Sequence, residues 1–496
     1  MGRGTLRILQ LGAVAVILAV TPREVFDLDR FLVPKEIALH ATALLAGLFV
    51  LRRIALTRID WLLVAFLGLS ALSVVFATNR WIGIRAVTLS ASAVLLFWIA
   101  RVLRENGLAR PLLNTLAFAV VLAAITALLQ AYGVELTIFP TSRAPGGTLG
   151  NRNFVGHAAA FGLPLVLLAA LRARRFAFAS LGVTIVFASL VLTRSRAAWL
   201  ACAVSLAVFF VAMLIARTMP WKRTIAIGIF AIAGVAAALV LPNALRWRSD
   251  NPYLESVQGV VNYEGGSGRG RLVQYAHSLR MAASHPLLGV GAGNWPVRYP
   301  EYAARNDGSI DDSEPGTTFN PWPSSDWIAF VSERGFAAAA LLAIVFAMLA
   351  INAFRNLRTE QGWEAATLLA TIAAACVAGA FDAVLLLALP SFIVWTAMGA
   401  LATNHPPTPN PQRAVPIILL VIALAGTVRS TCQLIAMEIY ATRGDRASLE
   451  RAARIDPGNY RVQLRLGRKG RCEHAIAARE LFPNADAAKA AARRCR

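Results

Sequence analysis

Charge is in short supply in this sequence. Asp, Glu, Lys and Arg make up 15% of its 496 residues, where a soluble chain carries about a quarter. That shortage excludes a large soluble domain. The six histidines do not cluster, and the five cysteines show no metal-ligand spacing, so the sequence offers no metal centre. Cys202, Cys376 and Cys432 fall in apolar runs and read as core residues, whereas Cys472 and Cys495 lie in a polar tail. Acidic residues are scarce against basic ones, 27 to 49, for a net charge of +22. In a soluble protein that balance points to nucleic acid. Here the charges lie in loops and in the tail, which favours a positive-inside bias, anionic headgroups and an anionic substrate over nucleic acid. No small-x-small cleavage site follows the first apolar run before "TPREVFDLDRF". That run therefore reads as a retained helix rather than a signal peptide.

What the chain has in quantity is long apolar runs, such as "WLLVAFLGLSALSVVFA" and "LLAIVFAMLAINAF". Each is long enough to cross a hydrocarbon core of about 30 Å as a helix. The expected fold is an all-α integral membrane protein, a polytopic bundle of 12–13 spans. The spans fall near 5–21, 35–51, 60–77, 82–102, 111–131, 154–171, 176–193, 197–216, 223–241, 326–353, 362–380, 383–402 and 414–437. The short basic loops "LRRIALTR", "RVLRENGLAR", "LRARR", "ARTMPWKR" and "FRNLR" share one side, which makes that side cytoplasmic. The other side receives a large loop between spans 9 and 10, and the tail, whose 439–496 stretch holds fourteen Lys and Arg against six Asp and Glu. The expected domains are a transmembrane bundle 1–241, an external loop with an amphipathic helix 242–325, further transmembrane helices 326–438, and a basic helical tail 439–496. A tail outside the cell permits a Cys472–Cys495 disulfide.

Against this background two arginines stand out. Arg194 and Arg196 in "LTRSRAAWLA" sit on the external side, against the bias of the short loops. They are either a tight turn snorkelling to headgroups or part of an anion site. In "APGGTLGNRNFVGHAAAFG", Asn151 and Asn153 precede a span, so the motif caps an outward-facing helix N-terminus that favours phosphate. In "SGRGRLVQYAHSLRMAASHPLLGVGAGNW", Arg269 and Arg271 open an amphipathic helix, either presenting arginines to a site or lying as an ordinary surface helix. In "DDSEPGTTFNPWPSSDWIAFVSERG", Asp326 is a candidate carboxylate, and Glu333 lies inside a span, where an arginine is its expected partner. Asp311 and Asp312 read as solvated loop.

In this order, "VPKEIAL", "GTLGNRNFVG", "LTRSRAAWLA", "HPLLGVGAGNW" and "SDWIAFVSERG" resemble the O-antigen ligase and polymerase family of bacterial membrane glycosyltransferases. The resemblance implies a GT-C-like helical fold whose external loop covers the active site. It implies a bacterial inner-membrane protein with a periplasmic active face, working without a metal or other cofactor. Its donor is a glycan on undecaprenyl diphosphate, and its acceptor is a lipid or protein, as in lipopolysaccharide biosynthesis. On the family's pattern Arg196 and Arg271 hold the diphosphate, with Arg194, Arg269, Asn151, Asn153 and Glu333 as further substrate-binding candidates. Fixed guanidinium groups then neutralise the leaving phosphate in place of a metal ion. One departure matters: the family's His-Asn pair is replaced by Ser324 and Ser325. Serine has no useful pKa for a general base. Either Asp326 or another carboxylate takes the catalytic role, or His277 or His285 moves in, or standard ligase activity is lost. The tail, with "ARIDPGNYRVQ" as a junction, resembles one and a half tetratricopeptide repeats. It either docks on the membrane domain or an envelope-assembly partner, or lies on headgroups as a basic amphipathic segment. The competing functions are a lipid-linked glycan transporter or flippase, which needs charges on several helices at mid-membrane, and a non-catalytic scaffold.

Overall fold

The computed structural model describes residues 2–26, 28–247, 249–259, 266–304, 307–402 and 414–495. Among them the chain is helical, and its one β feature is an isolated bridge between Ile310 and Thr318. Helices α1 (Gly2–Leu18), α2 (Asp29–Val50), α3 (Arg58–Val75), α4 (Arg80–Glu105) and α5 (Ala109–Ala131) open the bundle. α6 (Arg152–Arg172), α7 (Phe176–Thr193), α8 (Arg196–Ile215) and α9 (Trp221–Val240) follow. The long connection holds α10 (Pro252–Gln258), α11 (Gly266–Ser284) and α12 (Trp295–Arg298). α13 (Asp326–Arg355), α14 (Gly362–Phe381), α15 (Ala388–Leu401) and α16 (Ala414–Thr442) complete the bundle. The tail is α17 (Arg446–Ile455), α18 (Tyr460–Arg468), α19 (Cys472–Leu481) and α20 (Asp486–Arg493).

Eleven of the described helices are long and apolar enough to cross a membrane, and the chain is a multi-pass membrane protein. The other two expected spans are shorter: α1 has 17 residues and α15 has 14. Contacts at their ends show that both still run between the two faces of the bundle. Gly2 abuts Leu108, and the Ile17 and Ala19 carbonyls at the far end accept from Lys35. α15 ends where Arg104 donates to the Ala402 carbonyl. The span expected over 383–402 is not one continuous helix. Residues 382–387 leave the helical path, and the Asp326 carboxylate accepts the Val384 and Leu385 N–H groups at 2.8–3.1 Å. Backbone that unwinds at membrane depth must find such partners inside the protein.

α4 is buried over nearly all of 87–103 and α6 over most of its length, and every residue of α15 is buried. α9 lies at the rim, with Ile225, Ile229 and Ile232 exposed, as a lipid-facing helix requires. The face that holds Gly2 also gathers Arg53 on Asn106, Arg104 on Gln361, Arg172 on Glu364 and Arg223 on the Leu171 carbonyl. The opposite face, called the loop face below, holds the long connection. The tail docks there as well. Asp486 N–H donates to the Pro315 carbonyl at 2.9 Å, Asn484 to the Val297 carbonyl at 3.1 Å and the Tyr460 hydroxyl to Glu314 at 3.0 Å. Cys472 and Cys495 are joined in a disulfide within the tail.

Candidate active site

Two sequence motifs lock together at the loop face. α13 breaks at Gly335, whose φ of 82° only glycine adopts readily. The break frees the carbonyls of Ser332 and Glu333, which accept the N–H groups of Val290 and Gly291 at 2.9 and 3.0 Å. The glycine-rich 289–293 turn is thereby threaded against the span. The expected arginine partner of Glu333 is not found among the described residues. Its carboxylate instead accepts the Gly293 and Trp295 N–H groups at 2.8 and 3.2 Å. Backbone amides satisfy a buried carboxylate as well as a cation does when several converge. Asn294, in the same turn, exchanges hydrogen bonds with the Asn79 backbone at the start of α4.

The N-terminus of α6 is the second focus. Gly150, at φ 80°, turns the chain so closely over Phe31 that a Cβ would sit 2.3 Å from its ring. Asn151 then caps α6, its side-chain oxygen taken by the Asn153 N–H at 3.0 Å. Asn153 donates to Asp382 at 3.3 Å. One turn further, His157 is buried, 4.0 Å from the same Asp382 carboxylate, and neither ring nitrogen has a hydrogen-bond partner among the described residues. Arg271 is anchored by the rest of α11. The Tyr275 hydroxyl, one turn on, lies 2.6 and 2.8 Å from the Ser324 and Ala380 carbonyls. The joint carrying Arg194 and Arg196 packs on α6 too, since a Cβ on Gly156 would touch Ser195 and Ala198.

The sequence-predicted residues therefore divide. Asn153 and the base of Arg196 stand at the start of α6, and Arg271 lies one turn from the Tyr275 hydroxyl that binds the Ser324 and Ala380 carbonyls. Arg196 is half-buried and donates to the Gly259 carbonyl. Arg194 holds the long connection in place: it donates to Ser256 at 2.9 Å and Glu255 at 3.1 Å and lies over Trp247 at 4.7 Å. Asn151 is engaged as a helix cap, and Arg269 points to an exposed surface. Asp326 is fully buried and its oxygens are taken by the Val384 and Leu385 amides of the non-helical segment before α15, so it positions that segment. Ser325 caps α13 through its side-chain oxygen. His277 and His285 are engaged within the long connection itself. His277 lies 2.8 Å from Asp307, and His285 lies 3.3 Å from the Met281 carbonyl. Burial works against the Asp307 charge, but the Tyr299 hydroxyl, the Ser309 N–H and His277 together hold its carboxyl below the usual range. Burial, with that same carboxylate, pushes the Tyr299 phenol up.

His157 and Asp382 were not singled out by sequence reasoning, although "GNRNFVGH" contains the histidine. The available signal was a histidine inside an apolar span, which is costly without a task. A second feature was also missed. A cavity of about 740 Å³ lies between α2, α4, α13, α16, the 311–322 segment and the tail. Glu36, Arg85, Arg334 and Arg429 reach it from four spans, whereas the sequence suggested few charges at membrane depth. Arg85 is paired with Glu36 at 2.7 Å. Arg334 stands over the rings of Phe66 and Phe330 at 5.3 and 4.9 Å. The cavity adjoins the α6 cluster through Gly150, Trp322 and Leu386. Among the described residues no group of three or more His, Cys, Asp or Glu is placed to hold a metal ion.

Residues 181–343, about a third of the chain from α7 into α13, match the family model described as O-Antigen ligase, which supports membership of that family. No curated protein matches the chain.

Proposed function

We propose that this protein transfers a glycan from a polyprenyl-diphosphate carrier to an acceptor hydroxyl, at a loop face that is the periplasmic face of a bacterial inner membrane. The family match and the helical bundle support the reaction class. Orientation rests on the short basic loops gathered at the other face and on a tail disulfide, which needs an oxidising compartment. The observation that carries the reading is the buried His157, without a hydrogen-bond partner of its own among the described residues and 4.0 Å from the Asp382 carboxylate, near the N-terminus of α6. The N-terminal N–H groups, their dipole and the guanidinium groups of Arg271 and Arg196 all favour a diphosphate.

In the reaction the acceptor oxygen attacks the anomeric carbon. The bond from that carbon to the terminal phosphate oxygen breaks, and its electron pair stays on the phosphate. Arg271 and Arg196 neutralise the charge that develops there. His157 accepts the proton from the acceptor hydroxyl, with Asp382 stabilising the imidazolium that results. This assigns the proton to α6, because Ser324 stands in the family's histidine position. Arg194 and Asp326 act as positioning residues, and Asn153 orients Asp382.

Purified protein supplied with a lipid-diphosphate oligosaccharide and an acceptor should release the carrier diphosphate. Arg196→Ala and Arg271→Ala should each abolish release while the protein still inserts. Lysine at either position should also fail, since it lacks the bidentate fork. Normal transfer in both alanine variants would remove the proposal. One observation favours a second reading, transport of a lipid-linked glycan: four spans contribute charges to one cavity. Movement of labelled carrier across vesicles without release of diphosphate would select it.

A further inference from the structure

Helix α10 is held almost entirely by arginines. Of its seven residues only Ser256 is buried, and Leu254 and Val257 are each 57% exposed. A helix that buries so little apolar surface belongs to the low-stability end of a fold. Its fastenings come from the joint between α7 and α8. Arg194 donates to the Ser256 hydroxyl and the Glu255 carboxylate, and Arg196 donates to the carbonyl of Gly259, the residue that ends the helix. Upstream, the Trp247 ring has two guanidinium groups against it, Arg194 at 4.7 Å and Arg152 at 5.0 Å. Gly259 lies so close to the joint that an added Cβ would sit 2.5 Å from Nη1 of Arg196.

A phosphate group outcompetes these acceptors. The Gly259 oxygen is among the carbonyls that a helix end leaves without an intrahelical partner, and it is neutral. A phosphate oxygen carries charge, and the group presents a second oxygen to the guanidinium fork. Glu255 is charged but exposed, so its pair with Arg194 holds weakly. We infer that α10 is a built-in competitor for the arginine joint: it holds Arg196 through Gly259, and the diphosphate of a polyprenyl carrier displaces it on binding. The inference rests on the reading of Arg196 as a diphosphate ligand. Once Arg196 turns to the ligand, α10 keeps only Arg194 and the Trp247 contacts, and the helix loosens. The displacement also sorts ligands. A diphosphate carries more negative charge than a phosphodiester headgroup, so α10 yields to the carrier before it yields to the surrounding phospholipid.

Hydrogen exchange and ligand affinity are measured on the full-length protein in phosphatidylcholine nanodiscs. Geranylgeranyl diphosphate is the probe and geranylgeraniol its uncharged control. Binding of the diphosphate should speed amide exchange over 253–259 roughly threefold or more, and geranylgeraniol should leave it unchanged. Gly259→Ala and Ser256→Ala weaken the hold without changing any charge. The backbone at Gly259 has a φ of −71°, which alanine adopts, and the first atom its Cβ meets is the movable end of Arg196. Each variant should bind the diphosphate roughly two- to tenfold more tightly, where a merely structural α10 predicts weaker binding. Exchange that stays level or slows on binding, or affinities that hold or fall in both variants, would overturn the displacement. If Arg196→Ala still abolishes binding, the diphosphate site itself stands. No binding, or binding indifferent to Arg196→Ala, would sink the site and the displacement together. Fast exchange in phosphatidylglycerol nanodiscs before any diphosphate is added would give the displacement to ordinary headgroups and end the inference.

Discussion

Replacing Gly335 with alanine tests whether the interlock of α13 with the glycine turn holds the site together. A Cβ there would lie 2.2 Å from the Leu287 carbonyl oxygen and 2.8 Å from the Leu288 nitrogen. Both are backbone atoms and neither can rotate away. The φ of 82° and ψ of 167° add strain for any residue but glycine, about 1–3 kcal/mol. Forcing the turn away from the helix costs about 1–3 kcal/mol more as overpacking. Three backbone hydrogen bonds are then at risk: Val290 to Ser332, Gly291 to Glu333 and Phe336 to Pro286, at 2.9–3.0 Å. The expected total is about 3–6 kcal/mol. In detergent the thermal midpoint should fall by roughly 3–6 °C, and amide exchange over 286–293 should accelerate. Gly228→Ala is the control, since nothing lies within 4 Å of its Cβ. It should melt at or slightly above the wild type, because alanine is the better helix former. A Gly335→Ala protein that melts with the control, its 286–293 amides still protected, would refute the interlock.

Other perturbations probe the chemistry and the topology. His157→Gln should lower the turnover of glycan transfer by about 10²–10⁴ with carrier binding retained, and Asp382→Asn should lower it less; an unchanged turnover in His157→Gln would return the base to an unknown residue. Serine at Cys472 and Cys495, 23 residues apart, should destabilise the tail by about 3 kcal/mol in the loop-closure model, read as faster proteolysis of the α17–α20 region. In intact spheroplasts an impermeant maleimide should label these cysteines only after reduction, and labelling that first requires permeabilisation would put the loop face in the cytosol. The Asp307 carboxyl is held below its unfolded value of about 3.9, so its stabilising contribution is complete above that pH and is lost as pH falls through the lower folded value. Protection of the Tyr299 and His277 amides should therefore survive to about pH 4 and collapse below it, and Asp307→Asn should remove that dependence; a variant with the wild-type acid profile would assign the transition elsewhere.

Long apolar runs separated by short basic loops made the membrane bundle and its connection legible, because length and composition alone decide those features. Segment 383–387 was not legible, because "AVLLL" has the same composition whether it coils or extends. What unwinds it is Asp326, remote in sequence, taking its N–H groups. Glu333 misled for a related reason. A buried carboxylate signals the need for donors without saying whether they are guanidinium or amide. The amides came from a turn that sequence had marked only as packing close to something. Both cases follow one rule: inside the bundle, the partner of a charged group is chosen by whichever backbone has been freed nearby. Arg334 and Arg429 meet side chains instead: Arg334 stands over the Phe66 and Phe330 rings, and Arg429 donates to Gln433 and lies over Trp81 at 5.6 Å. Helix-locked backbone has no acceptors to spare, so at that depth aromatic faces and a side-chain amide take the part that freed backbone plays for Glu333 and Asp326.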